Sequence, residues 1–306
     1  MNRHEKPTSR RDFLREGVRS LVNAGFGGVF EKLERVGELM ERSEPKPAPL
    51  TPVLSCETRT LHTLFEAGQL TIETCAALLH ELDVQGVSLS DRHLPSLHPR
   101  YLENLRETCH RHGVTITGVM ASEPINLSDE ANLSRRMDEV IDRLQAASVL
   151  QAPLVRLHLT AEREEEQFER TAQFLQRLLP EARRRRVRLT IENRDGVGQR
   201  PELLVHLIRA LDPRWLGVCY DFGHGAPERL YDTARLLAPY AFHAHAKSYA
   251  FDPRGEETRL DYGRILSTLR LASYVGALSI EYLGEGDPVE GVRKTRDLIR
   301  RHWRAY

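Results

Sequence analysis

The sequence is short of the features that place a chain in the specialised classes. It has four cysteines, Cys56, Cys75, Cys109 and Cys219, and no two of them form a Cys-x-x-Cys pair. That spacing argues against a thiolate zinc site and a secreted disulfide scaffold, and reads as isolated thiols of the interior. Net charge is also lacking, since 44 Lys and Arg balance 44 Asp and Glu. Such a chain has no general field to draw in nucleic acid. No apolar run approaches the roughly 18–20 residues that span a bilayer, so neither nucleic acid nor membrane is an expected partner. What is present is length: 306 residues bury a large core without help from disulfides or metal, since single cores grow to about 250–300 residues.

Residues 1–49 read as an extension. The segment Ser9-Arg10-Arg11-Asp12-Phe13-Leu14-Arg15 resembles a twin-arginine export motif. The stretch behind it is interrupted by Arg19 and Asn23 and has no clear small-residue cleavage site, which favours a cytoplasmic chain over export by the twin-arginine route. Residues 31–41 place Leu33, Val36, Leu39 and Met40 at helical spacing, and Pro45, Pro47, Pro49 and Pro52 then mark a linker.

From residue 50 to 306, short apolar runs alternate with segments of helical period. Strands are expected at 52–56, 86–89, 114–120, 154–159, 187–192, 216–221, 241–247 and 277–282. Helices are expected between them, including one started by Thr71 and Glu73, one capped by Asp129 or Asn132, and others at 201–211, 262–271 and 289–303. The run Arg183-Arg184-Arg185-Arg186 reads as solvated charge near a helix C-terminus. Eight strands, each followed by a helix, predict an α/β fold of the (β/α)8 TIM-barrel type, which takes about 250 residues. A doubly wound open sheet is the weaker alternative, because no Gly-rich phosphate loop follows the first strand.

Barrel active sites lie at the strand C-termini. The last four expected strands carry Glu192, Asp221, His245 and Glu281 there. Three carboxylates in one cavity raise one another's pKa, and a divalent metal relieves that repulsion. Three carboxylates and one imidazole suit manganese, magnesium or cobalt, with zinc or iron also able to bind. His243 shares the inward face with His245 by strand alternation.

The segments Ile191-Glu192-Asn193, Cys219-Tyr220-Asp221-Phe222-Gly223-His224, His245-Ala246-Lys247 and Ser279-Ile280-Glu281-Tyr282 together resemble the xylose isomerase-like barrels of the sugar phosphate isomerase/epimerase superfamily. The resemblance implies one divalent metal held by Glu192, Asp221, His245 and Glu281, and its His-x-Lys register selects His245 over His243. It further implies Glu192 and Glu281 as the proton-transferring pair, with His224 and Lys247 beside the developing oxyanion. Such a site isomerises or epimerises a hydroxy-ketone through an enediolate. Arg156, His158 and Arg194 are candidates to hold the distal hydroxyls or a carboxylate of a small carbohydrate substrate, although a structural ion pair explains Arg156 equally well. A homo-oligomer is compatible with the sequence.

Three other readings use the same barrel. An inosose-type dehydratase would share the ligand set. An endonuclease IV-like nuclease would share Glu192-Asn193 and the Asp221/His224 spacing, but its three-zinc cluster needs further ligands, and Asp252-Pro253-Arg254-Gly255 stands where an Asp-x-His is expected. A non-catalytic barrel would bind a sugar or partner through its retained metal.

Overall fold

A computed structural model describes residues 52–162 and 164–304. The twin-arginine-like segment, the amphipathic stretch 31–41 and nearly all of the proline-rich linker lie outside the described residues. Eight parallel strands close into a barrel: β1 (Leu54–Glu57), β2 (Gly86–Ser90), β3 (Thr115–Met120), β4 (Leu154–Leu157), β5 (Arg188–Glu192), β6 (Leu216–Asp221), β7 (Ala241–Ser248) and β8 (Ala277–Tyr282). Each strand pairs with its neighbours in sequence, and β8 pairs with β1 to close the ring. The expected TIM barrel is therefore the observed one.

Among the described residues, eight main helices surround it: α1 (Ile72–Glu81), α2 (Pro99–Arg111), α3 (Leu133–Val149), α4 (Glu164–Arg185), α5 (Pro201–Leu211), α6 (Leu230–Leu237), α7 (Tyr262–Leu271) and α8 (Pro288–Arg304). Local chemistry explains several boundaries. A reciprocal capping box joins Thr71 and Thr74 at the start of α1. Proline opens α2, α5 and α8, where its missing N–H costs no helical hydrogen bond. Of the stripe Met137, Val140, Ile141 and Leu144 expected from the helical spacing of α3, all but the half-buried Ile141 are buried. The arginine run ends α4 in ion pairs, Arg183 with Asp212 at 2.6 Å and Arg184 with Glu181 at 2.6 Å. All four cysteines are free and buried.

The barrel interior carries hydroxyls below the strand ends. Ser55 meets Thr117 at 2.8 Å and Ser88 meets Ser279 at 2.7 Å, so these buried groups satisfy one another. Small side chains fit here because opposing strands converge on a narrow core.

Two of the departures from the expected strand bounds bear on the site. The first extends one residue further than residue 56, which carries Glu57 into the barrel mouth. The fourth stops at Leu157 instead of running to residue 159. Leu159–Thr160 pairs with Ile125–Asn126 in a separate two-stranded sheet, and the His158 carbonyl accepts the Ile125 N–H at 2.8 Å. That competing partner takes the backbone out of the barrel ladder, so His158 does not continue the inward alternation begun by Arg156. Among the described residues, no helix is long and apolar enough to cross a membrane.

Candidate metal and catalytic site

The parallel register sets the late-strand residues at matching heights. Asp221 lies opposite His245 across β6 and β7, and Lys247 lies opposite Glu281 across β7 and β8. His243 is opposite Cys219, one layer deeper in the barrel. It makes no hydrogen bond through either ring nitrogen, and its ring meets that of His245 edge to face at 5.4 Å.

His245 is fully buried at the centre of the cluster. Its Nδ1 is 3.2 Å from Glu192 Oε1, 3.8 Å from Asp221 Oδ2 and 3.9 Å from Glu281 Oε2. Lys247 Nζ is 2.7 Å from Asp221 Oδ2, 3.2 Å from Glu281 Oε2 and 3.0 Å from His224 Nε2. The structure thus brings Glu192, Asp221, His224, His245, Lys247 and Glu281 together. Arg156 joins them from β4, 3.7 Å from Glu192 and buried.

His158 and Arg194 stand apart from this cluster. Both engage Asp195, His158 through a short hydrogen bond and Arg194 through an ion pair at 3.2 Å. Burial lowers the His158 pKa against the opposing pull of Asp195.

One residue of the site escaped the sequence reading. Glu57, at the end of β1, is 1% exposed, with Oε1 3.8 Å from Arg156 and Oε2 3.5 Å from His245 Nε2. The signal for it was present, since a carboxylate ending a barrel strand is the criterion that selected the other three.

Backbone and side-chain contacts hold the cluster in register. Asn193 donates to the carbonyls of Asp221 at 3.0 Å and His224 at 3.1 Å, and its Oδ1 accepts the Asp221 N–H at 2.6 Å. Gly223 N–H donates to Asp221 Oδ1 at 2.7 Å. At Gly198, a Cβ would sit 2.1 Å from the Glu192 carbonyl oxygen, so a side chain there would push the end of β5. Asn193→Ala removes three hydrogen bonds, two of them buried, and is expected to cost about 2–3 kcal/mol, measured by urea unfolding. Wild-type stability in that variant would show that the stitch contributes nothing.

The charges divide the carboxylates. Burial opposes ionisation of Glu192, but Arg156, the His245 hydrogen bond and Lys247 outweigh it and hold that carboxyl well below the usual range. Burial likewise opposes Asp221, which Lys247 and His245 bring down to about 2. Glu281 goes the other way: burial, with Glu57 and Asp221 nearby, pushes it up to about 8 despite Lys247. His245 is buried, which disfavours its charge, yet Cys219, Glu57 and Asp221 raise it well above an ordinary histidine. His243 is driven down by burial and by His245. Burial is also the main cause lowering His224, against Asp221.

These residues fit a divalent cation. Glu57 Oε2 and Glu192 Oε2 are buried without a hydrogen-bond partner, which is costly for a carboxylate unless a positive charge faces it. Two groups have ligand atoms within 4.8 Å of one another, Glu192/Asp221/His245 and Glu57/His245/Glu281. Among the described residues no other such group occurs, and both share His245, so the ligands of a three-zinc cluster do not gather here. A cavity of about 430 Å³ opens beside the cluster, with Glu57, Arg59, Ser90, Arg156 and Tyr282 in its wall.

Comparison with known proteins places this geometry in context. The profile of one family, described as a xylose isomerase-like TIM barrel, matches residues 76–302. A stretch of 72 residues, 21% of the chain, is 39% identical to the C-glycoside deglycosidase alpha subunit of Arthrobacter globiformis. The chain spans only about a fifth of the length of the curated relatives it matches. Among solved structures, the D-psicose 3-epimerase of Clostridium cellulolyticum H10 superposes with a TM-score of 0.62 at 14% identity, covering 76% of this chain and 93% of that one. The probable 3-DHS dehydratase of Bacillus anthracis superposes with a TM-score of 0.64 at 15% identity, covering 80% and 97%. At those identities the structural likeness shows the fold.

Proposed function

The chain belongs to the xylose isomerase-like TIM-barrel family, and from that premise we propose that it is a divalent-metal-dependent isomerase or epimerase of a sugar, polyol or keto-sugar. The observation that carries this reading is the convergence of Glu192, Asp221 and Glu281 on His245 Nδ1, at 3.2, 3.8 and 3.9 Å, at the strand C-termini of the barrel; around that histidine the surroundings hold Glu192 well below the carboxylate range and raise Glu281 to about 8. Two carboxyls whose surroundings push their pKa values apart form an acid and base pair.

Glu192, Asp221, His245 and Glu281 would hold the ion, and their oxygen-rich donor set suits manganese, magnesium or cobalt. A bound cation would supply Lewis acidity, polarising a carbonyl and offsetting negative charge on its oxygen. The remaining steps belong to side chains of this protein. The pair holds one proton between its members: the ionised glutamate takes and keeps the proton from the carbon beside the carbonyl, and the protonated one delivers its own proton from the opposite face, which epimerises that carbon and leaves the two roles exchanged. Return to the neighbouring carbon instead interconverts aldose and ketose. Lys247 Nζ, which donates to His224 Nε2 at 3.0 Å and is positioned by it, presents a donor to the developing oxyanion. Arg156 in the cavity wall would contact the distal hydroxyls, and His158 and Arg194, which both engage Asp195, would do so only from outside the cluster.

The test is proton exchange in D2O with Mn²⁺ and a panel of ketoses, followed by NMR. The expected result is deuterium at the carbon beside the carbonyl, with all C–O bonds intact. A substrate that is converted while its C–H bonds stay unexchanged would overturn the reading.

A second reading is favoured by the stretch shared with a deglycosidase subunit. The same proton removal, with a leaving group on the next carbon, gives β-elimination, the route of a dehydratase or other lyase. Its product is an α,β-unsaturated ketone, so new ultraviolet absorbance and a released leaving group would replace epimer formation.

A further inference from the structure

The two ring nitrogens of His245 have different neighbours. Nδ1 faces Glu192, Asp221 and Glu281, whereas Nε2 faces Glu57 Oε2 at 3.5 Å and Cys219 Sγ at 3.4 Å. An imidazole that binds a cation through one nitrogen carries its proton on the other, and that N–H requires an acceptor to fix the tautomer and the ring orientation. A thiol is a weak acceptor, while a carboxylate is a strong one. Glu57 Oε2 is buried and has no hydrogen-bond partner of its own. Arg156 steadies the other Glu57 oxygen at 3.8 Å, lies 3.7 Å from Glu192 Oε2, and is itself anchored by donating to the Ala121 carbonyl at 2.9 Å.

We propose that Glu57 is a positioning residue that accepts the Nε2–H of His245 and so presents Nδ1 to the metal. β1 then contributes to a site whose direct donors all come from β5 to β8, and Arg156 couples the positioning carboxylate to the ligand Glu192. This inference rests on the metal-site reading of the preceding subsection.

The experiment is calorimetric titration of the full-length protein with Mn²⁺, comparing wild type, Glu57→Gln, Glu57→Ala and Cys219→Ala, with circular dichroism to confirm folding. One ion per chain is expected in wild type. Glu57→Gln keeps the shape but loses the charge and should bind roughly tenfold more weakly, and Glu57→Ala up to about a hundredfold, the usual range for loss of such a partner. Cys219→Ala should bind as wild type does. The visible d–d absorption of the Co²⁺-loaded protein should shift in Glu57→Gln, a change that a purely structural role would not produce. Should Glu57→Gln fail to fold, Glu57→Asp, with the charge kept but withdrawn, is read in its place and should show an intermediate loss.

Equal Mn²⁺ affinity in folded Glu57→Gln and wild type would overturn the proposal while leaving the metal site intact. Two ions per wild-type chain would also overturn it, because Glu57 would then be a direct ligand together with His245 and Glu281. Failure of wild type to bind any ion would instead remove the metal site itself.

Discussion

Glu192→Gln and Glu281→Gln are each expected to lower substrate turnover by about 10²–10⁴-fold, the usual contribution of a positioned acid or base. The two variants should nevertheless differ in a way that identifies the chemistry. Each glutamate serves one face of the reacting carbon, so each epimer presents its C–H bond to only one of them. With Glu281 disabled, the epimer facing Glu192 should still exchange its proton with D2O, although it no longer converts. The other epimer should be inert to exchange. Glu192→Gln should give the mirror-image pattern. Gln retains an oxygen that can bind the ion, and metal content measured on the same samples separates lost proton transfer from lost metal. Wild-type turnover in either variant would sink the assignment of the pair. Loss of exchange for both epimers in one variant, with metal retained, would point to a single base and therefore to the isomerase or lyase course.

The late half of the barrel was legible because its strands end in polar residues that punctuate the apolar runs. β6 and β8 coincide with their expected bounds, and their last residues include Asp221 and Glu281. Alternation alone left His243 and His245 equivalent. Their difference arises from pairing across strands, which sets His245 beside Asp221 and His243 beside Cys219, a relation between residues 24 apart that no local pattern encodes. The break at His158 has the same origin, since the Ile125 N–H competes for its carbonyl across a long connection. Glu57 was hidden by a boundary: a strand ended one residue early leaves the carboxylate in a loop, where an acidic side chain carries no message. The resemblance to a known family also drew attention to β5 through β8 and away from β1.

Metal binding should release protons and strengthen as pH rises. The buried cluster has four carboxylates, Glu57, Glu192, Asp221 and Glu281, against two buried cations, Lys247 and Arg156, while the half-exposed Arg59 reaches Glu281 from the rim at 3.8 Å. Fully ionised, with His245 neutral, it therefore carries a net charge of −2, which a divalent cation balances. Without the cation the site recovers neutrality with protons, and the two groups whose affinity for protons is raised are His245 and Glu281. His245 must give up a proton to offer a lone pair to the ion, and Glu281 must give up a second if its oxygen binds. Below pH 8, affinity should thus rise between roughly tenfold and a hundredfold per pH unit, for one and two displaced protons respectively.

The metal-free stability should follow the opposite trend. Glu281 is raised from 4.5 to about 8, so between those values the folded chain keeps a proton that the unfolded chain has released. Its contribution is complete below 4.5 and is lost as pH rises through about 8. Asp221, lowered from 3.8 to about 2, supplies the acid limb, with stability present above 3.8 and lost as pH falls through about 2. Burial lowers His93, His158, His206, His224 and His243, which raises stability as pH climbs towards 6.5, so the melting temperature without metal should decline only above about pH 7, while the increment produced by Mn²⁺ grows across that range. Calorimetry in buffers of different ionisation enthalpy counts the protons directly. A count of zero would refute the exchange of protons for a cation. A count of one would mean that Glu281 keeps its proton beside the bound ion, ready to serve as the acid of the pair, whereas two would require the catalytic proton to arrive with the substrate.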